Sequence, residues 1–345
     1  VKKRKKLSQN QKRRIKEQRT KKLDTLHQAD MDDTQLMESE PAVVISRFGQ
    51  HADVQTEDRV MIRAQIRRNI GSLVTGDFVI IRRSKTDTGG IVEAVQARSS
   101  QLTRPDYYDG VKVIAANIDQ ICIVSSIVPT FSSQIIDRYL IASEDVEIKP
   151  ILIITKTDLL DAQSKAQLEQ ELEPYEKLGY PIFYVNKQDQ AGIEIIKEQL
   201  HHQTSIFVGQ SGVGKSSLIN AILPEADLVE GEVSTLSGLG QHTTTASKRL
   251  DLPDSGHIVD SPGIREFGLW HLHPERVTWC FPEFRPFMSH CKFRDCTHQD
   301  DPKCAIRQAV EDHKIHPTRY ANYLKIIQSM DEQKDGRHIK NTPFD

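Results

Sequence analysis

The chain has 345 residues, of which 37% are hydrophobic and 27% charged, and its formal net charge is −2. This length exceeds what one core usually fills and suits two or three domains. No apolar run reaches the ~20 residues that cross a bilayer, and five cysteines behind a basic start without an apolar signal segment do not read as a secreted disulfide framework, so a cytoplasmic protein without a membrane partner is expected.

The charge is unevenly placed. Residues 1–22 hold twelve Lys/Arg and a single acid, Glu17, about +11, which leaves about −13 for the rest of the chain. Residues 1–40 lack apolar periodicity and are expected to form a basic, disordered arm and linker. A basic arm on an acidic body suits a polyanion such as RNA; a solvated tail with no specific partner is the alternative.

From 41 to 108 the texture changes to short β-rich runs. Val43–Ile45, Arg59–Ile62, Phe78–Ile81 and Ile91–Val95 are separated by Gly, Asp and Ser signals. About five short strands in this space predict an OB-type barrel. Arg47, Arg63, Arg67, Arg68, Arg82 and Arg83 lie among them. They either line a nucleic-acid groove or simply solvate the barrel's exterior.

Residues 109–273 alternate strand and helix. Strands are expected over Asp119–Ile127, Ile151–Thr155, Ile182–Val185 and Ser205–Val208, and helices over Ser132–Asp145, Asp161–Leu178, Gly192–Leu200 and Lys215–Leu223. This is an α/β domain with a mainly parallel sheet, whose ligands bind at the carboxyl ends of strands. A polar, Gly/Ser/Thr-rich loop, Glu230–Ser247, precedes two further strands, Ala246–Leu252 and His257–Val259.

Two motifs fall at such strand ends. Gly209-Gln210-Ser211-Gly212-Val213-Gly214-Lys215-Ser216, followed by Ser217, reads GxxxxGKS. Its glycines let backbone N–H groups face phosphates, Lys215 can reach the β- and γ-phosphates, and Ser216 can offer a hydroxyl to Mg²⁺. Thr155-Lys156-Thr157-Asp158 is a guanine-type TKxD. The Asp158 carboxylate can accept from the ring N–H and the exocyclic amine of guanine, and adenine would leave it unpaired. Lys156 can lie against the base and the phosphate loop, and Val185-Asn186-Lys187 is the expected later base-contacting segment. In an ordinary GTPase the phosphate loop comes first and the guanine motif last. Here the order is reversed, which predicts a circularly permuted P-loop GTPase domain.

The switch elements follow the phosphate loop. Asp260-Ser261-Pro262-Gly263 is DxxG after a His-Ile-Val run; Asp260 can assist Mg²⁺ through water, and the Gly263 N–H can bond the γ-phosphate. Gly238-Leu239-Gly240-Gln241-His242-Thr243-Thr244-Thr245 lies between the two. A threonine there can complete the Mg²⁺ shell; three adjacent threonines leave the ligand open, and Thr244 is favoured. Ile264 stands where a water-orienting glutamine is familiar, so hydrolysis needs another group or a partner. His242 is the nearest candidate by sequence, and a histidine that is merely hydrogen-bonded is the alternative.

Residues 274–333 turn to Cys, His and aromatic residues, with helices expected over Pro302–Asp312 and Pro317–Met330 and a disordered tail over 334–345. Cys291, Cys296, His298 and Cys304 offer three thiolates and one imidazole, a closed set typical of one structural Zn²⁺, with unbound thiols as the alternative. Cys122 reads as a small core residue.

The TKTD, GQSGVGKSSLIN, GLGQHTTT, DSPGIREFGL and CKFRDCTH segments, in this order, resemble the bacterial small-subunit-dependent GTPase A (RsgA/YjeQ) family. ISRFGQHADV, LTRPDYYDGVK and AANIDQI add to the resemblance, which runs from about Val43 to Met330. It implies an N-terminal OB barrel, a central circularly permuted GTPase domain and a C-terminal, mostly helical zinc domain. It also implies GTP hydrolysis stimulated by the small (30S) ribosomal subunit, a role in late 30S maturation and release after hydrolysis; 16S rRNA is the expected RNA partner, and a monomer is expected. Two rival readings are a GTP-gated RNA-binding scaffold without meaningful hydrolysis, kept open by Ile264, and an ATP-dependent enzyme acting on a small molecule, opposed by Asp158. The short span from Gly263 to Cys291 also leads one to expect that switch movement pulls directly on the zinc module.

Overall fold

The computed structural model describes residues 35–106, 110–128, 130–186, 188–226, 228, 247–260, 269 and 271–338. Five strands form a closed barrel in the order β1-β2-β3-β5-β4: β1 (Leu36–Phe48), β2 (His51–Thr56), β3 (Met61–Ile66), β4 (Phe78–Ser84) and β5 (Gly89–Val95). Alternation in β2 and β3 turns Ala52, Val54, Ile62, Ala64 and Ile66 inward, where they meet Val44, Val79, Ile81 and Val92. Closure needs one strand long enough to pair on both sides. β1 does this, antiparallel to β2 and to β4, with register shifts between Leu36 and Ser39 and between Val44 and Ser46. The strand begins at Leu36, inside the stretch whose composition reads as arm and linker. Leu36 is buried, and Glu40 receives Arg83 at 2.5 Å.

Five of the six barrel arginines are engaged within the barrel itself. Arg63 pairs with Asp53 at 2.8 Å, Arg67 and Arg82 both reach Glu93, Arg83 holds Glu40 and Asp58, and Arg47 donates to the carbonyl of Leu73 at 2.9 Å. Arg68 is exposed.

A hairpin, β6 (Gln101–Asp106) and β7 (Gly110–Ala116), follows as a separate two-stranded sheet. It leads into a six-stranded sheet of order β10-β9-β8-β11-β13-β12, made of β8 (Gln120–Ser126), β9 (Lys149–Thr155), β10 (Ile182–Tyr184), β11 (Thr204–Val208), β12 (Lys248–Asp251) and β13 (His257–Asp260). All neighbours are parallel except β12 and β13. β8 and β9 read as continuous apolar runs because both of their faces are covered. One face carries α1 (Ser133–Asp145) and α2 (Ala162–Lys177), the other α3 (Gln190–Leu200) and α4 (Lys215–Ile222). Asp161 and Asp189 cap α2 and α3, accepting from Ser164 N and Gly192 N. The strand feeding the phosphate loop, β11, sits between β8 and β13. The chain lays down the guanine-motif half of the sheet before it returns to this centre, so the permutation read from motif order is a property of the sheet.

The remaining helices are α5 (Pro274–Trp279), α6 (Arg285–Met288), α7 (Ala305–Glu311) and α8 (Pro317–His338), the last extending beyond the expected end at Met330. They share one core with the nucleotide sheet: Phe281, Phe284, Ile306 and Tyr323 pack in the same cluster as Ile123, Ile136, Ile154 and Val259. A buried polar network fastens the two. Arg319, 2% exposed on its side chain, bonds Asp137 of α1 and Glu283 (2.7 Å), while Asn322 and Tyr175 also donate to Asp137, at 2.6 and 2.8 Å. Every member is satisfied, which is what makes such a network cohesive. At the rim Trp279 lies between the guanidinium groups of Arg276 and Arg285, themselves paired with Asp145 and Glu144. The helical module is thus fixed to α1 and α2 independently of the 263–291 connection. Among the described residues no helix is long and apolar enough to cross a membrane.

Candidate nucleotide site and metal cluster

The phosphate loop spans the end of β11 and the start of α4. Gly209, at φ +146, has no room for a side chain, since a Cβ would lie 2.2 Å from the carbonyl oxygen of Val124. Gly214 caps α4 in the left-handed region at φ +93. These two positions let the backbone curl tightly and leave the N-terminal amides of α4 for anionic groups. Lys215 donates to the carbonyls of Gly209 and Gln210, each at 2.6 Å, so its ammonium lies across the loop. Ser216 and Ser217 follow in the first turn of α4, half-buried.

The guanine motif is tied into this loop by two side chains. Thr155, at the end of β9, donates its hydroxyl to the carbonyl of Val213 and approaches that of Ser125 at 3.2 Å. Lys156, in the left-handed region at φ 57, donates to the carbonyls of Gly212 (2.6 Å) and Val128. The base loop and the phosphate loop are therefore one construction, although 56 and 58 residues separate the partners. Thr157 and Asp158 lie in the following 3₁₀ turn, Thr157–Leu159, with Asp158 exposed at the strand ends. Asn186, past β10, accepts from Gln188 N at 2.9 Å in a local turn. The loop after β8, whose Val128 carbonyl also receives the Ser126 hydroxyl at 2.7 Å, went unrecognised in the sequence. Only a serine pair after a buried run marks it.

Replacing Thr155 by valine keeps its shape and removes the hydroxyl. GTP and GDP affinities should fall together by about 3- to 10-fold, the effect of one lost hydrogen bond of ~1 kcal/mol. Titration with a fluorescent guanine nucleotide checks this, and unaltered affinity would leave Thr155 without a part in binding.

Asp260 ends β13, next to β11, with Lys248 opposite it on β12. His242, Thr243, Thr244, Thr245, Gly263 and Ile264 lie outside the described residues, as does Lys187.

Cys291, Cys296, His298 and Cys304 converge, their donor atoms all within 4.8 Å of one another. His298 adopts φ 61, its Nδ1 lies 3.5 Å from Cys304 Sγ and 3.7 Å from Cys291 Sγ, and its carbonyl accepts from the Tyr320 hydroxyl at 2.6 Å. Burial, with the neighbouring thiols of Cys304 and Cys291, pushes the Cys296 thiol up to about 12, and burial pushes His298 down. A divalent cation at the centre would reverse the thiol shifts and draw the protons off. Tetrahedral bonds of ~2.3 Å to sulfur imply sulfur separations of about 3.8 Å, within the observed spread, so the four residues fit a metal ion. Cys122 is buried in β8, as expected for a core residue.

Comparison with known proteins places these features in a wider set. The RsgA GTPase family model matches residues 95–270. The small ribosomal subunit biogenesis GTPase RsgA of Shewanella oneidensis is 53% identical over 347 residues, covering 98% of each chain. RsgA 1 of Vibrio vulnificus is 53% identical over 342 residues, covering 97% of each. Among solved structures, YjeQ from Thermotoga maritima superposes with a TM-score of 0.70 at 31% identity, over 85% of this chain and 99% of that one. YloQ, a circularly permuted GTPase, gives 0.68 at 28% identity, over 86% and 96%.

Proposed function

The chain belongs to the RsgA GTPase family, and we propose that it hydrolyses GTP on the small (30S) ribosomal subunit late in that particle's maturation and leaves after hydrolysis. The observation that carries this reading is the joining of guanine and phosphate loops by Thr155 and Lys156, a site built for a guanine nucleotide between a barrel and a metal-binding module.

Each part then has a role. The amides of Gly209–Ser217 hold the phosphates, Lys215 neutralises charge on the transferred group, and Asp158 selects guanine with Lys156 beside the base. Ser216 and Thr244 are the proposed Mg²⁺ ligands; Mg²⁺, when bound, neutralises β- and γ-phosphate oxygens. Asp260 and Gly263 respond to the γ-phosphate, and His242 is the proposed group that orients water where Ile264 is unable to. Cys291, Cys296, His298 and Cys304 hold one structural Zn²⁺, for which a soft thiolate set is suited. The basic arm and the barrel meet 16S rRNA, and the factor acts as a cytoplasmic monomer.

GTP and ATP turnover measured with isolated 30S, 50S and 70S particles tests the proposal. Acceleration by 30S subunits with GTP and not with ATP is expected. Equal turnover with and without 30S subunits would return the protein to the scaffold reading.

A further inference from the structure

The barrel and the nucleotide sheet meet along a seam that the chemistry above leaves unused. Thr75, 3% exposed in the loop before β4, donates its hydroxyl to the carbonyl of Ser247 at 3.0 Å. Its own carbonyl accepts from Ala116 N at 3.0 Å. The next residue, Gly76, sits backbone against backbone: a Cβ there would lie 2.2 Å from the Ala116 carbonyl oxygen. Asn117 locks the same loop, donating to the Gly76 carbonyl at 2.8 Å and accepting from Ser99 N at 2.9 Å.

Ser247 leads directly into β12, and β12 is the edge of the nucleotide sheet. Its first residue, Lys248, is the register partner of Asp260. At its far end Asp251 is bonded to His257 at 2.9 Å. The entry to β12 is therefore hitched to the barrel, the strand lies beside β1, and one ladder rung separates it from the DxxG acid. The strand also carries Arg249, 9% exposed, whose Nε and Nη1 have no acceptor among the described residues.

We propose that Thr75 is a positioning residue for subunit-stimulated hydrolysis. Its bond to Ser247 passes the seating of the barrel on RNA to β12, and from β12 across the ladder to Asp260. This rests on the reading that 30S subunits stimulate turnover. Such a link is a coupling free energy between two sites, which shows in the ratio of stimulated to basal turnover and not in activity alone.

Thr75→Val and Thr75→Ser are compared with the wild type in the full chain, by basal kcat, KM for GTP and kcat at saturating 30S subunit. Thr75→Val should keep basal kcat and KM within about twofold and lose about 3- to 10-fold of the stimulated kcat, the factor one buried hydrogen bond supplies. Thr75→Ser should restore most of it. If Thr75→Val lowers the melting temperature, Thr75→Ala, which puts less apolar bulk against the carbonyl, carries the same expectation. A variant stimulated as strongly as the wild type overturns the proposal, and so does one whose basal and stimulated rates fall equally, which marks a structural role. Absence of stimulation in the wild type would instead fail the functional reading itself.

Discussion

Lys215→Ala should lower 30S-stimulated GTP turnover by about 10²- to 10³-fold, the range seen when one preorganised donor to developing charge is removed. The transferred phosphoryl group does little covalent chemistry with the protein, so catalysis depends on positioning and on charge. Lys215 is the residue proposed to supply both. Its ammonium is held across the loop by the carbonyls of Gly209 and Gln210, which keeps the charge at the phosphate loop. Alanine keeps the helical propensity of the first turn of α4, and Val213, Leu218 and Ile219 still anchor the loop in the core. The protein should therefore fold, and single-turnover measurements at saturating GTP separate the loss of rate from any loss of affinity. A rate within a few-fold of the wild type would move the phosphate chemistry away from this loop. Ser216→Ala serves as the companion, with a loss expected to lessen at high Mg²⁺, which the Lys215 variant should not share.

How far such a site can be read from sequence depends on how local its chemistry is. Phosphate binding needs glycines, a lysine and a hydroxyl within one turn of chain, so Gly209–Ser216 was legible as written. The same holds for the four metal-site residues, which crowd into 291–304 and converge in space. The barrel was legible as a count of short strands, but β2 went unnamed and the β6–β7 hairpin was missed, because Pro105 and the exposed Val111 blur the alternation that marks a strand. Long-range ties left no local mark. Arg319 meets Asp137 across 182 residues and Thr75 meets Ser247 across 172, and a lone arginine or threonine in the sequence announces neither. The barrel arginines show the converse. Their clustering left a nucleic-acid groove and a solvated exterior both open, and the fold pairs most of them with Asp53, Glu93, Glu40 and Asp58, so the RNA reading of the barrel must rest on what these pairs exchange when a phosphate arrives. The threading of the switch through 263–291 was read as a direct tether. The switch end of that span, Gly263, lies outside the described residues, while the shared core and the Arg319 network fix the module at the other end to α1.

Removal of the metal should have the second large effect, confined to the helical module. The elements around the cluster are short: α5 has six residues, α6 four and α7 seven, all below the length at which a helix stands unaided. The loops that carry Cys291, Cys296 and His298 hold few buried apolar side chains, and Cys304 caps α7 while the Ala305 N–H points at Cys291 Sγ from 3.4 Å. In small domains of this kind metal binding is largely folding free energy, about 10–16 kcal/mol in isolated zinc-finger peptides near neutral pH. Here α8 and the aromatic cluster of Phe281, Phe284 and Tyr323 remain pinned by Arg319, so the loss should be local. Metal analysis of the purified protein should return one zinc per chain. A strong chelator, or Cys304→Ser, should abolish amide protection over 291–311 while leaving β8, β11 and α1 protected and GDP affinity within about twofold. GTP turnover of the metal-free protein with and without 30S subunits then tells whether the module, fixed to α1, takes part in the proposed stimulation. Protection over 291–311 that survives both treatments would make the cluster four buried side chains packed together, and the module's stability would then lie wholly in the core it shares with the nucleotide sheet.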